Sequence, residues 1–241
     1  MKRSFHLLLY CIFPCYVFAQ KGLQIQHLSG HLYTYVTWHE NDGAQYPATG
    51  MYLLTGKGAV IIDTPWDTTR IRPLSDSILR RHHLPVLMVI ATHHHGDRAG
   101  GFDVYKRMGI KTYSTQLTYD LCREYKEPKA AYTFKKDTTF HIGGYTFQTF
   151  YPGEGHTKDN IVIWFGQDKV LYGGCFVKSL EAKDAGYTGE ANLAAWPASI
   201  ERVKKAFPGA RYVIPGHLGG TSPAALDHTS ELAKLPGSIK P

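Results

Sequence analysis

The sequence predicts an α/β fold made of two mixed β/α halves packed face to face. Three observations point there. Short apolar or alternating runs are interleaved with stretches of helical spacing along the chain, the pattern of layered sheets and helices. Paired runs joined by glycine-containing turns open a second set of strands at Phe140. Residues able to hold a metal fall just beyond strands, where α/β folds gather their working loops. With 241 residues, 43% hydrophobic and 20% charged, the chain can bury one sizeable core.

The first stretch stands apart. Lys2 and Arg3 precede a largely apolar run, Phe5–Phe18, and Val17-Phe18-Ala19 ends in a small residue. That is the form of a secretory signal cleaved before Gln20. Residues 1–19 are therefore expected to be a leader that takes Cys11 and Cys15 with it. Residues 20–241 are expected to form one exported, soluble domain, periplasmic in a Gram-negative source.

Leu23–Leu28 and Leu32–Trp38 alternate apolar and polar residues and read as strands. His39–Gly50, rich in Asn, Asp, Gly and Pro, is expected to break the strand pattern and, by its length and its return into Met51–Leu54, to form a hairpin with a long, mobile tip. Gly58–Asp63 is a buried strand ending in an acid. Across Asp67–Arg81, Ile71, Leu74, Ile78 and Leu79 share one helical face, and Arg72, Asp76, Arg80 and Arg81 fall elsewhere. Val86–Ala91, after Pro85, is another buried strand. A helix is expected to start near Arg98–Gly101, followed by a strand at Ile110–Ser114 and a helix over Leu117–Tyr125. Gly143-Gly144 joins Phe140–Ile142 to Tyr145–Tyr151, and Gly166-Gln167-Asp168 joins Ile161–Phe165 to Val170–Tyr172. A helix over Asn192–Phe207, a strand at Arg211–Ile214 and a helix over Ser222–Leu235 close the chain. Ser222 would cap that helix and Pro223 take its first position.

The formal net charge is +7. The basic residues are dispersed and do not form a block that tracks phosphates, which argues against a nucleic-acid partner. A mild positive field suits solubility and, to a lesser degree, an anionic small molecule.

The chemistry gathers in Thr92–Gly101, THHHGDRAGG, directly after the Val86–Ala91 strand. His93, His95 and Asp97 are two apart, which in looped chain places them on one side and His94 on the other. Later strand ends lead into Pro152–Asn160 with His156, into Gly173-Gly174-Cys175, and into Pro215-Gly216-His217. Small residues before His156, Cys175 and His217 let the backbone turn tightly. Imidazole, carboxylate and thiolate together suit Zn2+. A lone histidine is usually structural, but these loops in combination form a metal-ligand set. Cys122 reads as a buried small hydrophobe, although an oxidising compartment would also permit a disulfide with Cys175. His82, His83 and His141 lack any ligand context.

The order HxHxD, GHT, GGC and GH resembles the metallo-β-lactamase superfamily. Within it, the chain is similar to the class B β-lactamases that hold two zinc ions and use a cysteine. The similarity runs from Leu23 to Leu235 and includes Gly50-Met51-Tyr52, Asp63-Thr64-Pro65-Trp66 and Ala195-Trp196-Pro197. The resemblance implies an αβ/βα sandwich, two mixed β-sheets with outer helices and a metal groove at one edge. It implies one Zn2+ on His93, His95 and His156 and a second on Asp97, Cys175 and His217. Arg98 stands where thioesterase-like and lactonase-like members have a histidine ligand, and Cys175 where they have a bridging Asp. Lys178 resembles the lysine that binds the substrate carboxylate. Asn192 resembles the asparagine near the lactam carbonyl, with a helix cap as its alternative role. Asp63 and Arg98 are implied to stand behind the ligands and orient them. His39–Gly50 matches the flap over the groove, although its sequence is more polar than an apolar flap.

The implied activity is hydrolysis of β-lactams (penicillins, cephalosporins and carbapenems), hence antibiotic resistance. Zinc would make hydroxide available at neutral pH; Asp97 would orient it and Asn192 would polarise the carbonyl. The expected partner is this small molecule, with neither nucleic acid nor membrane for the mature chain, which is expected to be a monomer. The chain contains no Ser-x-x-Lys, the motif of the serine enzymes. Two other readings remain. One is a hydrolase of the same fold acting on a thioester, lactone or phosphoester, against which Arg98 and Cys175 speak. The other is a non-catalytic zinc-binding protein, which would need neither Lys178 nor Asn192.

Overall fold

Alternation along the strands sorts the apolar residues into three layers. A computed structural model describes residues 22–41 and 43–235, so the expected leader lies outside the described residues. Gln24–Ser29 (β1), Leu32–Asn41 (β2), Ala44–Thr55 (β3), Gly58–Ile62 (β4), Val86–Ile90 (β5), Lys111–Thr115 (β6) and Tyr132–Phe134 (β7) form a seven-stranded sheet in sequence order. Thr139–Ile142 (β8), Tyr145–Phe150 (β9), Val162–Phe165 (β10), Val170–Gly174 (β11) and Tyr212–Pro215 (β12) form a five-stranded sheet, ordered β12-β11-β10-β9-β8. Both sheets are mixed: β4 to β7 run parallel and β11 pairs parallel with β12, while the other pairs are antiparallel.

Successive strand residues face opposite sides. Val60 and Ile62 meet Phe147, Ile163 and Tyr172 of the other sheet in a central core. Ala59 and Ile61 turn outward to Ile71, Leu74 and Ile78 of Ile71–His82 (α1) and to Phe102 of Phe102–Arg107 (α3). Cys122 of Gln116–Glu124 (α4) joins that outer layer, fully buried. On the far side, Val162, Leu171 and Val213 pack on Trp196, Ile200 and Val203 of Trp196–Ala206 (α5) and on Ala225 and Leu226 of Ala225–Leu232 (α6). Helix, sheet, sheet, helix is the αβ/βα sandwich. Each fully buried Val, Ile or Phe contributes roughly 1.5–3 kcal/mol. No helix among the described residues is long and apolar enough to cross a membrane.

Several expectations need correcting. His39–Gly50 is the expected hairpin, but strand pairing runs through it where a break was expected. It continues β2 and β3 as a long hairpin, with Trp38 opposite Pro47 and His39 opposite Tyr46. Its polar residues suit a ladder that projects into solvent, where nothing imposes an apolar pattern. Leu79 does not join the buried face of α1 and is 51% exposed, because the sheet covers only the stripe through Ile71, Leu74 and Ile78. The helix expected from Arg98–Gly101 is two short pieces, Gly96–Ala99 (α2) and α3. The Asn192 end of the α5 expectation is a turn, with Pro197 in the first helical turn. The last helix runs over Ala225–Leu232, inside the expected Ser222–Leu235. β7 was unforeseen, since three residues are too few to show a period. Cys122 and Cys175 are both buried and free, so the disulfide is not formed.

Candidate metal centre

Strand ends deliver the donors to one edge of the sandwich. β5 ends at the His93–Asp97 loop, β9 leads to His156, β11 to Cys175 and β12 to His217. Tight backbone is required where β11 ends: Gly174 has φ +54°, and a Cβ there would meet Thr92 Oγ1 at 3.0 Å. At Gly216 a Cβ would lie 2.6 Å from Cys175 N and 2.8 Å from an Arg98 nitrogen. Only glycine lets the loops after β11 and β12 close together.

His93, His95 and His156 converge as the sequence predicts. Their ring centroids are 4.8, 5.0 and 5.0 Å apart and their planes nearly perpendicular, with donor nitrogens all within 4.8 Å of one another. His93 Nε2 and His156 Nδ1 are sealed from solvent yet have no hydrogen-bond partner. Buried polar atoms are rarely left so, and a cation shared by neutral imidazoles would satisfy this set. Burial holds His93 and His156 well below the ordinary imidazole value and His95 below it, which keeps lone pairs available.

Asp97, Cys175 and His217 also meet. Cys175 Sγ is 3.3 Å from Asp97 Oδ2 and 3.3 Å from His217 Nε2, and these last two are 3.1 Å apart. His93 lies within 4.8 Å of Asp97 and Cys175, so the two donor groups adjoin. One sulfur, one carboxylate and one imidazole form a three-donor set fit for Zn2+, with a fourth position left open. His217 Nδ1 contacts Pro47 O at 2.7 Å. The carbonyl of a hairpin residue thereby sets the ring's direction and leaves Nε2 free for the cluster.

Arg98 lies directly behind this group, almost fully buried. Its Nε is 3.1 Å from Cys175 Sγ and 3.0 Å from Asp97 Oδ2. Nη1 donates to Thr49 O at 2.8 Å and reaches Asp63 Oδ2 at 3.4 Å; Nη2 donates to Gly216 O at 2.8 Å. Burial opposes the charge on Asp97, but Arg98 and His217 outweigh it and hold the carboxyl well below its ordinary value. Burial pushes the Cys175 thiol up, against the pull of Arg98. Asp63, at φ 62°, accepts from Thr92 N at 2.7 Å and Tyr172 OH at 2.7 Å. Burial raises its carboxyl to about 6 in spite of Arg98. Asp63 therefore acts on the His93 loop through Thr92, whose Oγ1 is 3.5 Å from His93 Nδ1.

Of these donors, His95, Asp97, His156 and His217 line a groove of about 830 Å³. Tyr46 and Trp66 line one wall, Tyr125, Tyr187 and Glu190 another, and Lys178 lies within it. Lys178 Nζ sits 5.3 Å over the Trp196 ring. Asn192 lies in the turn before α5. Its Oδ1 accepts from Ala195 N at 3.0 Å and its Nδ2 donates to Glu154 Oε2 at 2.7 Å. Both ends of the amide are engaged in the turn that precedes α5, whose own cap residue is Ala195. His94 differs from expectation: it is buried against Asp159 and Glu190, with its ring 4.6 Å from that of His95. Neither acid was singled out from the sequence, because an isolated Asp or Glu in a loop carries no local signal.

The comparisons agree with this geometry. The family model of the metallo-beta-lactamase superfamily matches residues 48–217. A metallo-beta-lactamase type 2 of Elizabethkingia meningoseptica is 43% identical over 87% of this chain and 84% of its own length. One of Bacteroides fragilis is 35% identical over 96% of each. The crystal structure of metallo-beta-lactamase IND-7 superposes with a TM-score of 0.86 at 39% identity, covering 89% of this chain and 99% of that one. By fold, by converging donors and by sequence, the chain belongs to the metallo-β-lactamase superfamily.

Proposed function

We propose that this chain hydrolyses the amide bond of β-lactams with two zinc ions, and so confers resistance to them. The observation that carries the reading is the convergence of two adjoining donor sets of different chemistry beside Lys178. His93, His95 and His156 would hold one ion, and Asp97, Cys175 and His217 the other. When bound, zinc supplies water ionised at neutral pH and Lewis acidity toward a carbonyl. The protein supplies the rest. Asp97, kept ionised, accepts a hydrogen bond from the attacking water and directs it. Lys178 binds the substrate carboxylate, and Tyr46 and Trp66 cover its apolar parts and exclude water. Arg98 balances the charge of Asp97 and Cys175. Asn192 supports the Glu154 turn and is the candidate side chain for polarising the lactam carbonyl.

Export with removal of residues 1–19, a single domain over 20–241, a periplasmic location and a monomer acting on this small molecule alone complete the proposal. The test is ring opening of a penicillin, a cephalosporin and a carbapenem, with and without chelator, beside a thioester. Chelator-sensitive lactam hydrolysis is expected. Turnover of the thioester alone, or lactam turnover that ignores the chelator, would overturn the reading.

A further inference from the structure

His94 lies between two candidate ligands and is 1% exposed. Its Nδ1 is 3.0 Å from Asp159 Oδ1, whose side chain is fully buried three residues beyond His156. Its Nε2 is 2.9 Å from Glu190 Oε2, and the other oxygen of Glu190 is 3.4 Å from His95 Nε2. The Glu190 contacts are close ion-pair approaches rather than aligned hydrogen bonds. The His94 ring also packs on Tyr125 at the end of α4, 5.0 Å centroid to centroid. One imidazole thus joins the His93–Asp97 loop, α4, the His156 loop and the segment carrying Glu190. Tyr187, in that last segment, stands 5.6 Å from His95 over the groove.

A carboxylate beside the outer nitrogen of a metal-ligating histidine fixes the ring's tautomer and direction. Glu190 is placed to do this for His95, leaving Nδ1 as the free donor. By itself Glu190 is a partly exposed side chain on a loop, with rotamers to spend. His94, clamped by Asp159 on its other side, supplies the fixed ring nitrogen, 2.9 Å away, that holds it.

We propose that His94 is a positioning residue that, braced by Asp159, holds Glu190 against His95, so that the first metal site and the Tyr187 loop over the groove are set by one contact. This rests on the metal reading of His93, His95 and His156 and is independent of the substrate.

The experiment is a double-mutant cycle of His94→Gln and Glu190→Ala, read by chelator competition for zinc and by the cobalt-substituted spectrum. Glu190→Ala should weaken the first site by about tenfold, the lower range for partners behind a ligand. The cobalt bands of the first site should shift while the Cys175 charge-transfer band stays unchanged. His94→Gln should do the same, and the double variant should be no worse than either single one. Additive losses, or a fall in melting temperature with first-site affinity intact, would overturn the proposal. Should His94→Gln fail to fold, unchanged affinity in Glu190→Ala overturns it alone, and rescue by Glu190→Gln supports it. His93→Ala is the control. If it abolishes first-site binding while Glu190→Ala does nothing, the positioning role falls and the metal reading stands. If the unaltered chain binds no zinc, both fall.

Discussion

Replacing Arg98 with Ala should be among the most damaging single changes in the chain, and zinc should repair part of the damage. The guanidinium is the buried positive charge that Asp63, Asp97 and Cys175 all face, and it also satisfies the carbonyls of Thr49 and Gly216. Its removal strands buried carboxylates without compensation, which costs about 3–5 kcal/mol. For a domain of this size that is a fall in melting temperature of about 6–20 °C. The measurement is paired thermal and urea unfolding of the chelated and zinc-loaded protein. Zinc held by Asp97 and Cys175 restores positive charge there but does nothing for Asp63 or the two carbonyls. The loss should therefore be smaller in zinc-loaded protein, yet not vanish. A loss below about 1 kcal/mol in the chelated protein, or one that zinc does not alter, would refute the electrostatic account.

Cys175→Ser should lower the affinity of the second site by more than about 100-fold, because a hydroxyl does not ionise at neutral pH as a metal-bound thiol does; metal analysis after dialysis should fall from two zinc ions per chain toward one. Lys178→Ala should reduce kcat/KM roughly tenfold, the worth of one charge-assisted hydrogen bond, mainly through KM; an unchanged KM removes Lys178 from substrate binding. The pH dependence has a definite sign. Burial depresses His93, His95 and His156 in the folded chain, so unfolded imidazoles take protons that the folded ones refuse. Stability of the chelated protein should decline as pH falls below about 6.5 and keep declining toward the depressed folded values. Melting curves between pH 8 and 5 that show no such decline would contradict the burial argument.

Much of this molecule was legible along the chain. The strand and helix periods survive folding wherever an element has one buried face, as Val60 with Ile62 and Ile71 with Ile78 show. Donor identity is legible for a related reason: metal chemistry demands His, Asp and Cys, and tight loops after strands demand small residues before them. The His39–Gly50 hairpin is legible from its turn residues, but the strand pairing that runs almost to its tip is not, because a ladder in solvent has no apolar side to reveal it.

The sequence by itself determined the layered α/β architecture and the six donors, since both are written in local spacing and residue type. Only the tertiary structure decided what those donors lean on. His94 meets Asp159 across 65 residues and Arg98 reaches His217 across 119, and such contacts leave no trace in any local period. Asn192 shows the same limit from the other side: its type suits both a lactam carbonyl and a helix turn, and only the tertiary structure shows that its amide reaches Glu154, 38 residues away.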